Sequence, residues 1–345
     1  MKRQLTAYCR CFIRAGRLTL LFGVLFAVVL SSCSRQPEVQ PVRSMYYWRT
    51  VYSLSQTERD FMKAHHVERL YVRYFDVVLN EQGEPTPNAT IKFPTAPSAS
   101  PDPSKGRGDA NELPVCSPLP LEGLGEVIPV VFIVNDCMAR PHEGLAEKIL
   151  TRVQQMNETH DVKGVNELQI DCDWTVTTRR NFFAFLSELR TLAQAKGIAL
   201  SATIRLHQLS QPVPPVDRGV LMVYNTGDVT RFECHHPILD LNDVRQYLHH
   251  LKNYDLPLSA AYPLFSWRVL FRNGRYVGIM HGDDLPVIPG DSIALRQSDL
   301  PHIMDARETI GRLRSDIHHE VILYDLSEQN ITRFKTNDYE TIFGN

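Results

Sequence analysis

Two aspartates within the stretch Glu167–Thr175 have the residue type and spacing that acid–base chemistry needs. The stretch is typical of a β-strand, and because side chains alternate along a strand, Asp171 and Asp173 share one face with Gln169. The opposite face is apolar and suits packing against helices, which turns the carboxylates towards the interior of the fold. Two carboxylates about 6–7 Å apart repel one another, so their pKa values should separate unless cations lie close by. The pattern indicates either a catalytic pair or an interior pair held by structural arginines.

Further polar side chains lie at the carboxyl-terminal ends of the other predicted strands. Enzymes built on parallel strands keep their reactive groups at these ends. The polar side chains are those of Arg73, Asp76, Asn135, Asp136, Arg205, His207, Tyr224, Asn225 and Tyr262. We predict that these side chains, with Trp174, form the substrate-binding part of one site around the two aspartates. Arg73 and Arg205 are able to pair with those aspartates, and such pairs would serve a substrate site or a satisfied interior equally.

Eight runs rich in β-forming residues alternate with helical patterns and must position this site. The predicted strands are Met45–Tyr52, Arg69–Val77, Val127–Val134, Glu167–Asp173, Ala199–Leu206, Gly219–Tyr224, Leu256–Tyr262 and Glu320–Tyr324. The predicted helices are Ser55–His65, His142–Asn157, Thr178–Lys196, Asp240–Asn253 and Ser298–Arg314. In one domain of this size the alternation favours an α/β fold of the (β/α)8 TIM-barrel type over an open doubly wound sheet. No glycine-rich nucleotide motif follows the first strand, which weighs against the open sheet, and we predict no cofactor.

Two insertions interrupt the alternation. Residues 84–121 contain nine prolines among many serines, asparagines and glycines, so we predict a long loop without helix or sheet after the second strand. A loop at that end of a barrel is placed to cover the active face. Residues 265–287 predict a β-hairpin after the seventh strand, because an Asn-Gly turn separates two β-forming runs.

The two aspartates resemble a motif of the family 18 glycoside hydrolases, the chitinases and endo-N-acetylglucosaminidases. In that family the fourth barrel strand ends in D-x-D-x-E; Asp171 and Asp173 match its aspartates, and Trp174 matches a position that is often aromatic. The segment ending in Tyr224 and Asn225 is similar to the family's M-x-Y-[DN] pattern on the sixth strand. The resemblance implies that these two residues and the aspartates contact the reacting acetamido group of an N-acetylhexosamine.

Thr175 departs from the family pattern, because it stands where the proton-donating glutamate should be. A threonine hydroxyl cannot donate that proton at neutral pH. The resemblance therefore predicts either a glycan hydrolase in which another carboxyl, such as Asp173, Asp136 or Asp76, supplies the proton, or a non-catalytic glycan-binding protein. A structural envelope protein is the third alternative. Trp174 and Trp267 are able to stack on a sugar face or to pack as ordinary aromatic residues.

The first 32 residues are typical of a removable signal peptide. Five basic residues and no acidic one precede the apolar run 18–30, which is short for a bilayer span of about 20 residues. Leu30-Ser31-Ser32-Cys33 resembles the bacterial lipobox, which implies cleavage before Cys33 and its modification by fatty acids such as palmitate. We predict a tether at 33–43, a single barrel domain at 44–345 and a lipid-anchored location in the cell envelope, at the outer membrane of a Gram-negative bacterium.

Charge and residue spacing exclude two kinds of partner. Removing five basic residues from a chain of formal net charge −2 leaves −7, without a basic stripe for nucleic acid. Histidine doublets do not share a face, and no H-E-x-x-H pattern is present, so we predict no metal site. Cys116 and Cys137 are able to bridge the long loop to the third strand, whereas Cys172 is predicted to be a buried free thiol.

Overall fold

The computed structural model describes residues 40–93, 125–282 and 284–344 of the chain. The predicted signal peptide, Cys33, Cys116 and most of the predicted proline-rich loop lie outside these ranges. No helix within them is both long and apolar enough to cross a bilayer.

Eight parallel strands close into a ring and confirm the predicted TIM barrel. In chain order the strands of the described residues are β1 (Val42–Tyr47), β2 (Arg69–Leu79), β3 (Pro85–Asn88), β4 (Glu126–Ile133), β5 (Glu167–Asp171), β6 (Ala199–Arg205), β7 (Arg218–Met222), β8 (Leu258–Pro263), β9 (Ser266–Arg272), β10 (Arg275–Met280), β11 (Asp291–Gln297) and β12 (Glu320–Tyr324). The ring runs β1, β2, β4, β5, β6, β7, β8, β12, and β12 pairs with β1. Each ring strand overlaps a predicted one, although β1 begins and ends earlier than predicted and shares only Met45–Tyr47 with the prediction. Closure leaves the ring without an exposed edge.

Helices surround the ring; the first five lie in the predicted places, and the last two were not predicted. They are α1 (Gln56–Ala64), α2 (Leu145–Thr159), α3 (Arg179–Gln194), α4 (Leu241–Leu248), α5 (Leu300–Leu313), α6 (Glu328–Ile331) and α7 (Thr336–Phe343). Helix α1 begins at a capping box: the Ser55 hydroxyl accepts a hydrogen bond from the Glu58 backbone N–H, and the Glu58 carboxylate accepts one from the Ser55 N–H. These two bonds satisfy donors that a helix start leaves unpaired.

The prediction that residues 84–121 hold no sheet is wrong at their beginning. Strand β3 pairs antiparallel with the end of β2, outside the ring. Its prolines, Pro85 and Pro87, alternate with Thr86 and Asn88, so a missing N–H falls only at every second residue. Such spacing is compatible with an edge strand, where one row of N–H groups faces away from the partner.

The predicted hairpin is present but belongs to a larger unit. Strands β9 and β10 flank the Asn273-Gly274 turn, and both turn residues have the positive φ that this sharp reversal requires. A third strand, β11, pairs antiparallel with β9 along its whole length. The predicted insertion therefore ends too early, since the sheet extends to Gln297.

A buried ionic group fills the ring at the amino-terminal ends of its strands. Arg218 donates hydrogen bonds to Glu167 (2.7 Å) and to Glu320 (2.6 Å). Glu320 also accepts from the hydroxyls of Ser44 (2.6 Å) and Ser259 (2.9 Å). We call Glu167, Arg218 and Glu320 the basal cluster. Because it occupies the closed end of the barrel, only the opposite end is open to a ligand.

Candidate functional site

A cavity of about 560 Å³ opens where the ring strands end. We call it the site cavity. Six of the residues predicted from strand ends line it: Arg73, Asp171, Asp173, Arg205, Tyr224 and Asn225. His207 lines a smaller adjoining cavity of about 260 Å³, which shares Asp173, Arg205, Tyr224 and Asn225. The structure thus brings most of the predicted site together, at the end of the barrel where such enzymes keep their chemistry.

Arg205 holds both aspartates of the β5 motif. Its Nη2 donates to Asp171 Oδ1 at 3.0 Å, and its Nε donates to Asp173 Oδ1. The Thr203 hydroxyl donates a second hydrogen bond to Asp171 Oδ1 at 2.5 Å. Arg205 thus pairs with both aspartates, as the sequence allowed, and this pairing is compatible with a substrate site and with a satisfied interior.

The two aspartates differ in their exposure to solvent. The Asp171 side chain is 5% exposed and that of Asp173 is 55% exposed. Burial raises the pKa of Asp171, against the opposing effect of the Arg205 guanidinium and the Thr203 hydrogen bond. Asp171 is therefore suited to orient Arg205 and a ligand, whereas the Asp173 side chain is accessible from solvent.

Arg73 pairs with Asp76 instead of with the β5 aspartates. Arg73 Nε donates to Asp76 Oδ1 at 2.7 Å, and Nη2 donates to Oδ2. A β-bulge at Tyr74 shifts the register of β2 against β4, so these two residues, three apart, reach the same side. The expected pairing of Arg73 with Asp171 or Asp173 is therefore wrong. Arg73 instead balances the charge of the Asp76 carboxylate.

Three residues of the predicted site lie elsewhere. Trp174 is fully buried and packs on Phe182 and Phe183 beneath α3. Tyr262 is also fully buried and bonds to His318 at 2.7 Å, because it lies on the helix-facing side of β8. Asp136 is exposed in a short 3-10 helix and does not line the site cavity.

Thr175 lies on the surface beyond β5. Its hydroxyl bonds to those of Thr177 (2.8 Å) and Thr178 (3.4 Å), and it does not line the site cavity. The free thiols nearby are structural: Cys172 is buried, as predicted, and Cys137 is a buried free thiol whose Sγ lies 3.5 Å from the Val77 carbonyl. Cys116, the other half of the predicted bridge, lies outside the described residues.

A group of aromatic residues faces the cavity, and sequence analysis missed two of its members, Phe265 and Tyr324. Tyr224 lies 5.1 Å from Tyr324 and 5.6 Å from Phe265 between ring centroids, and Phe265 lies 5.1 Å from Trp267. We call these four residues the aromatic wall. Tyr324 ends β12, so the strand-end rule could have found it, whereas Phe265 precedes the added sheet and no local signal places it in the cavity. Trp267, which sequence analysis named as a possible sugar-stacking residue, does line the cavity.

Sequence analysis also missed Asp325. It follows β12 directly, lines the site cavity and accepts a hydrogen bond from Asn330 Nδ2 at 2.5 Å. Burial raises its pKa to about 6, against the opposing effects of Arg49 and the Asn330 hydrogen bond. The cavity thus contains one carboxyl that titrates near neutral pH.

Comparison with known proteins supports the fold. No protein-family model matches the sequence, and no curated protein is significantly similar to it. The spore cortex-lytic enzyme SleL of Bacillus megaterium QM B1551 has a similar structure, with a TM-score of 0.54 and 10% identity, over 89% of this chain and 74% of that chain. A chitinase of Chromobacterium violaceum ATCC 12472 gives 0.54 and 10%, over 88% and 98%. The Group IV chitinase of Ostrinia furnacalis gives 0.50 and 13%, over 88% and 100%. The chain thus has the barrel fold of chitinase-like glycoside hydrolases, as its motifs predicted.

Proposed function

We propose that this chain is a glycoside-hydrolase-like barrel that binds glycans in the site cavity. The observation that carries the proposal is the pairing of the aromatic wall with a polar wall formed by Asp171, Asp173 and Arg205. Sugar rings present apolar C–H faces that pack on aromatic rings, and hydroxyls that need fixed donors and acceptors. The cavity volume of about 560 Å³ falls in the usual range for ligand sites, about 300–1,000 Å³.

The motif residues support an N-acetylhexosamine unit as the ligand. Tyr224, Asn225 and Asp171 all line the cavity, and Tyr224 and Asn225 match the family motif that contacts an acetamido group. An amide group offers one donor and one acceptor, which a carboxylate and an amide side chain complement. We therefore propose N-acetylhexosamine-containing glycans as the ligand class.

Hydrolysis is the second candidate function, and Asp325 favours it. The β5 aspartates are both paired with Arg205, which suits binding more than proton donation. A cavity carboxyl with a raised pKa is the feature that a general acid needs. Binding and hydrolysis are therefore tested separately.

Calorimetric titration of the full-length protein in detergent with the N-acetylglucosamine pentamer tests the proposed function. We expect saturable binding, and we expect Trp267→Ala to raise Kd by roughly 10-fold to 30-fold, because truncating an aromatic anchor costs about 2 kcal/mol. Trp174→Phe is the matched control, since Trp174 lies outside the cavity, and its Kd should equal that of the wild type. Absence of heat with the wild type would refute the proposal.

We also propose that a lipid on Cys33 anchors the chain in the cell envelope, at the outer membrane of a Gram-negative cell. The basic and apolar segments and the lipobox-like tetrapeptide support this location. Cells expressing Cys33→Ser should incorporate no labelled palmitate into the protein, which should leave the membrane fraction, while Cys11→Ser should behave as the wild type. Labelling of Cys33→Ser as strong as that of the wild type would show that the lipid is attached elsewhere, and an unlabelled wild type would show that no lipid is attached.

A further inference from the structure

Asp325 and the β5 aspartates approach the site cavity from opposite sides of the barrel. In the eight-stranded ring, three strands separate β12 from β5 in either direction. Asp325 follows β12, Asp171 ends β5, and all three carboxyls line the same cavity. A glycan bound between the aromatic and polar walls would therefore have a carboxyl on each side.

Asp325 differs from the other carboxyls of this end of the barrel in its partners. Asp171 and Asp173 pair with Arg205, and Asp76 pairs with Arg73. Among the described residues, no ion pair involves Asp325, whose side chain accepts its hydrogen bond from a neutral amide.

The charged groups closest to Asp325 come from the loop after β1 and from α1. They are Arg49 and Glu58, which have opposite effects on Asp325. Arg49 Nη2 donates to both carboxylate oxygens of Glu58 at 2.9 Å, so much of its charge is already neutralised. The buried Tyr324 hydroxyl and Asn330 complete the surroundings. This environment leaves Asp325 half-buried and without a dedicated cation, so its protonated form is favoured.

We propose that Asp325 is the proton donor for hydrolysis of a glycosidic bond in the site cavity, with Asp173 as the base. The inference rests on the proposed glycan-binding function. Asp325 would supply the acid that is missing from the D-x-D-x-E pattern at Thr175. It would do so from a position directly after β12.

The reaction balances with one water molecule. The water oxygen bonds to the anomeric carbon while its proton passes to the Asp173 carboxylate. The bond between the anomeric carbon and the glycosidic oxygen breaks, and its electron pair stays on that oxygen, which takes the Asp325 proton. Asp173 then releases a proton to solvent and Asp325 takes one up, which restores both groups. Direct attack by water inverts the anomeric configuration.

The test uses the full-length protein in detergent with two probes: the N-acetylglucosamine pentamer and a 4-nitrophenyl glycoside of the N-acetylglucosamine oligomer. We expect the wild type to cleave both, with inversion seen by proton NMR, and kcat/KM for the pentamer to fall as the pH rises through about 6. Asp325→Asn should cleave the pentamer at least about 100-fold more slowly. It should retain most activity on the nitrophenyl glycoside, because nitrophenolate leaves without a proton. Asp305→Asn, an exposed carboxyl on α5, should match the wild type on both probes.

The outcomes separate this inference from the proposed function. Asparagine can still accept the Asn330 hydrogen bond, and unchanged pentamer affinity in the Asp325→Asn titration would show that the fold is intact. Equal loss on both probes would mean a structural role and would overturn the inference. Wild-type binding without cleavage, or cleavage with retention, would also overturn it and leave glycan binding standing. Failure of the wild type to bind either probe would refute both the role of Asp325 and the proposed glycan-binding function.

Discussion

Replacing Arg205 with alanine should lower the free energy of unfolding by about 3–5 kcal/mol at pH 7. The reason is that Asp171, with only 5% of its side chain exposed, loses the cation that compensates its charge. Thr203 would remain as the donor to Asp171 Oδ1, and one neutral hydrogen bond does not replace a guanidinium. Urea unfolding at pH 7 measures the loss.

The pH dependence of the same variant follows from the direction of the Asp171 pKa shift. Burial already raises this pKa in the folded protein, and removal of Arg205 should raise it further. The penalty therefore applies where Asp171 is ionised, and it should shrink as the pH falls through the folded-state pKa and the carboxyl takes up a proton. Arg205→Met combined with Asp171→Asn should recover most of the lost stability, since no buried charge remains. A deficit that stays constant from pH 7 to pH 4 would contradict this explanation.

Replacing Arg218 with methionine should have an effect of similar size at the closed end of the barrel. Arg218 is the shared donor of the basal cluster, and its loss leaves Glu167 and Glu320 as neighbouring buried carboxylates. Glu320 would keep its Ser44 and Ser259 hydrogen bonds, and Arg69 lies 3.5 Å away. We expect a loss of about 3–5 kcal/mol in urea unfolding, because breaking a buried pair leaves charges uncompensated.

Arg190→Met is the matched control for Arg218→Met. Arg190 pairs with Asp217, the residue that precedes Arg218 in the sequence. This pair is more exposed than the basal cluster, since the Arg190 side chain is 38% exposed and that of Asp217 is 27% exposed. Its removal should cost no more than about 1 kcal/mol. If Arg218→Met cost as little as Arg190→Met, the basal cluster would not stabilise the barrel.

The barrel strands were predictable because each is rich in β-forming residues. Before the next helix, the spacing of apolar residues also changes from the period of a strand to that of a helix. In β5 and β6 the alternation was informative, since polar and apolar residues occupy opposite faces. It placed Asp171 and Arg205 correctly in the barrel interior. The capping box at Ser55 and Glu58 is a similar case, because its signal lies within four residues of sequence.

The alternation of polar and apolar residues gave no guidance where both faces of a strand have similar composition. In β8, small or apolar residues occupy every position, so nothing in the sequence showed that Ala261 faces the interior and Tyr262 the helices. A β-bulge in β2 changed the partner of Arg73, and bulges of one residue have no reliable sequence signal. The aromatic wall needs contacts between β7, β12 and the added sheet, which only the closed fold brings together.

Glycan binding in the site cavity is tested most directly by a crystal structure of the protein with the N-acetylglucosamine pentamer. We predict one sugar ring packed on the aromatic wall, with its acetamido group within hydrogen-bond distance of Tyr224 or Asn225 and the next glycosidic oxygen near Asp325. A pentamer bound outside the cavity, or a cavity that remains without sugar at saturating concentration, would contradict the proposed function.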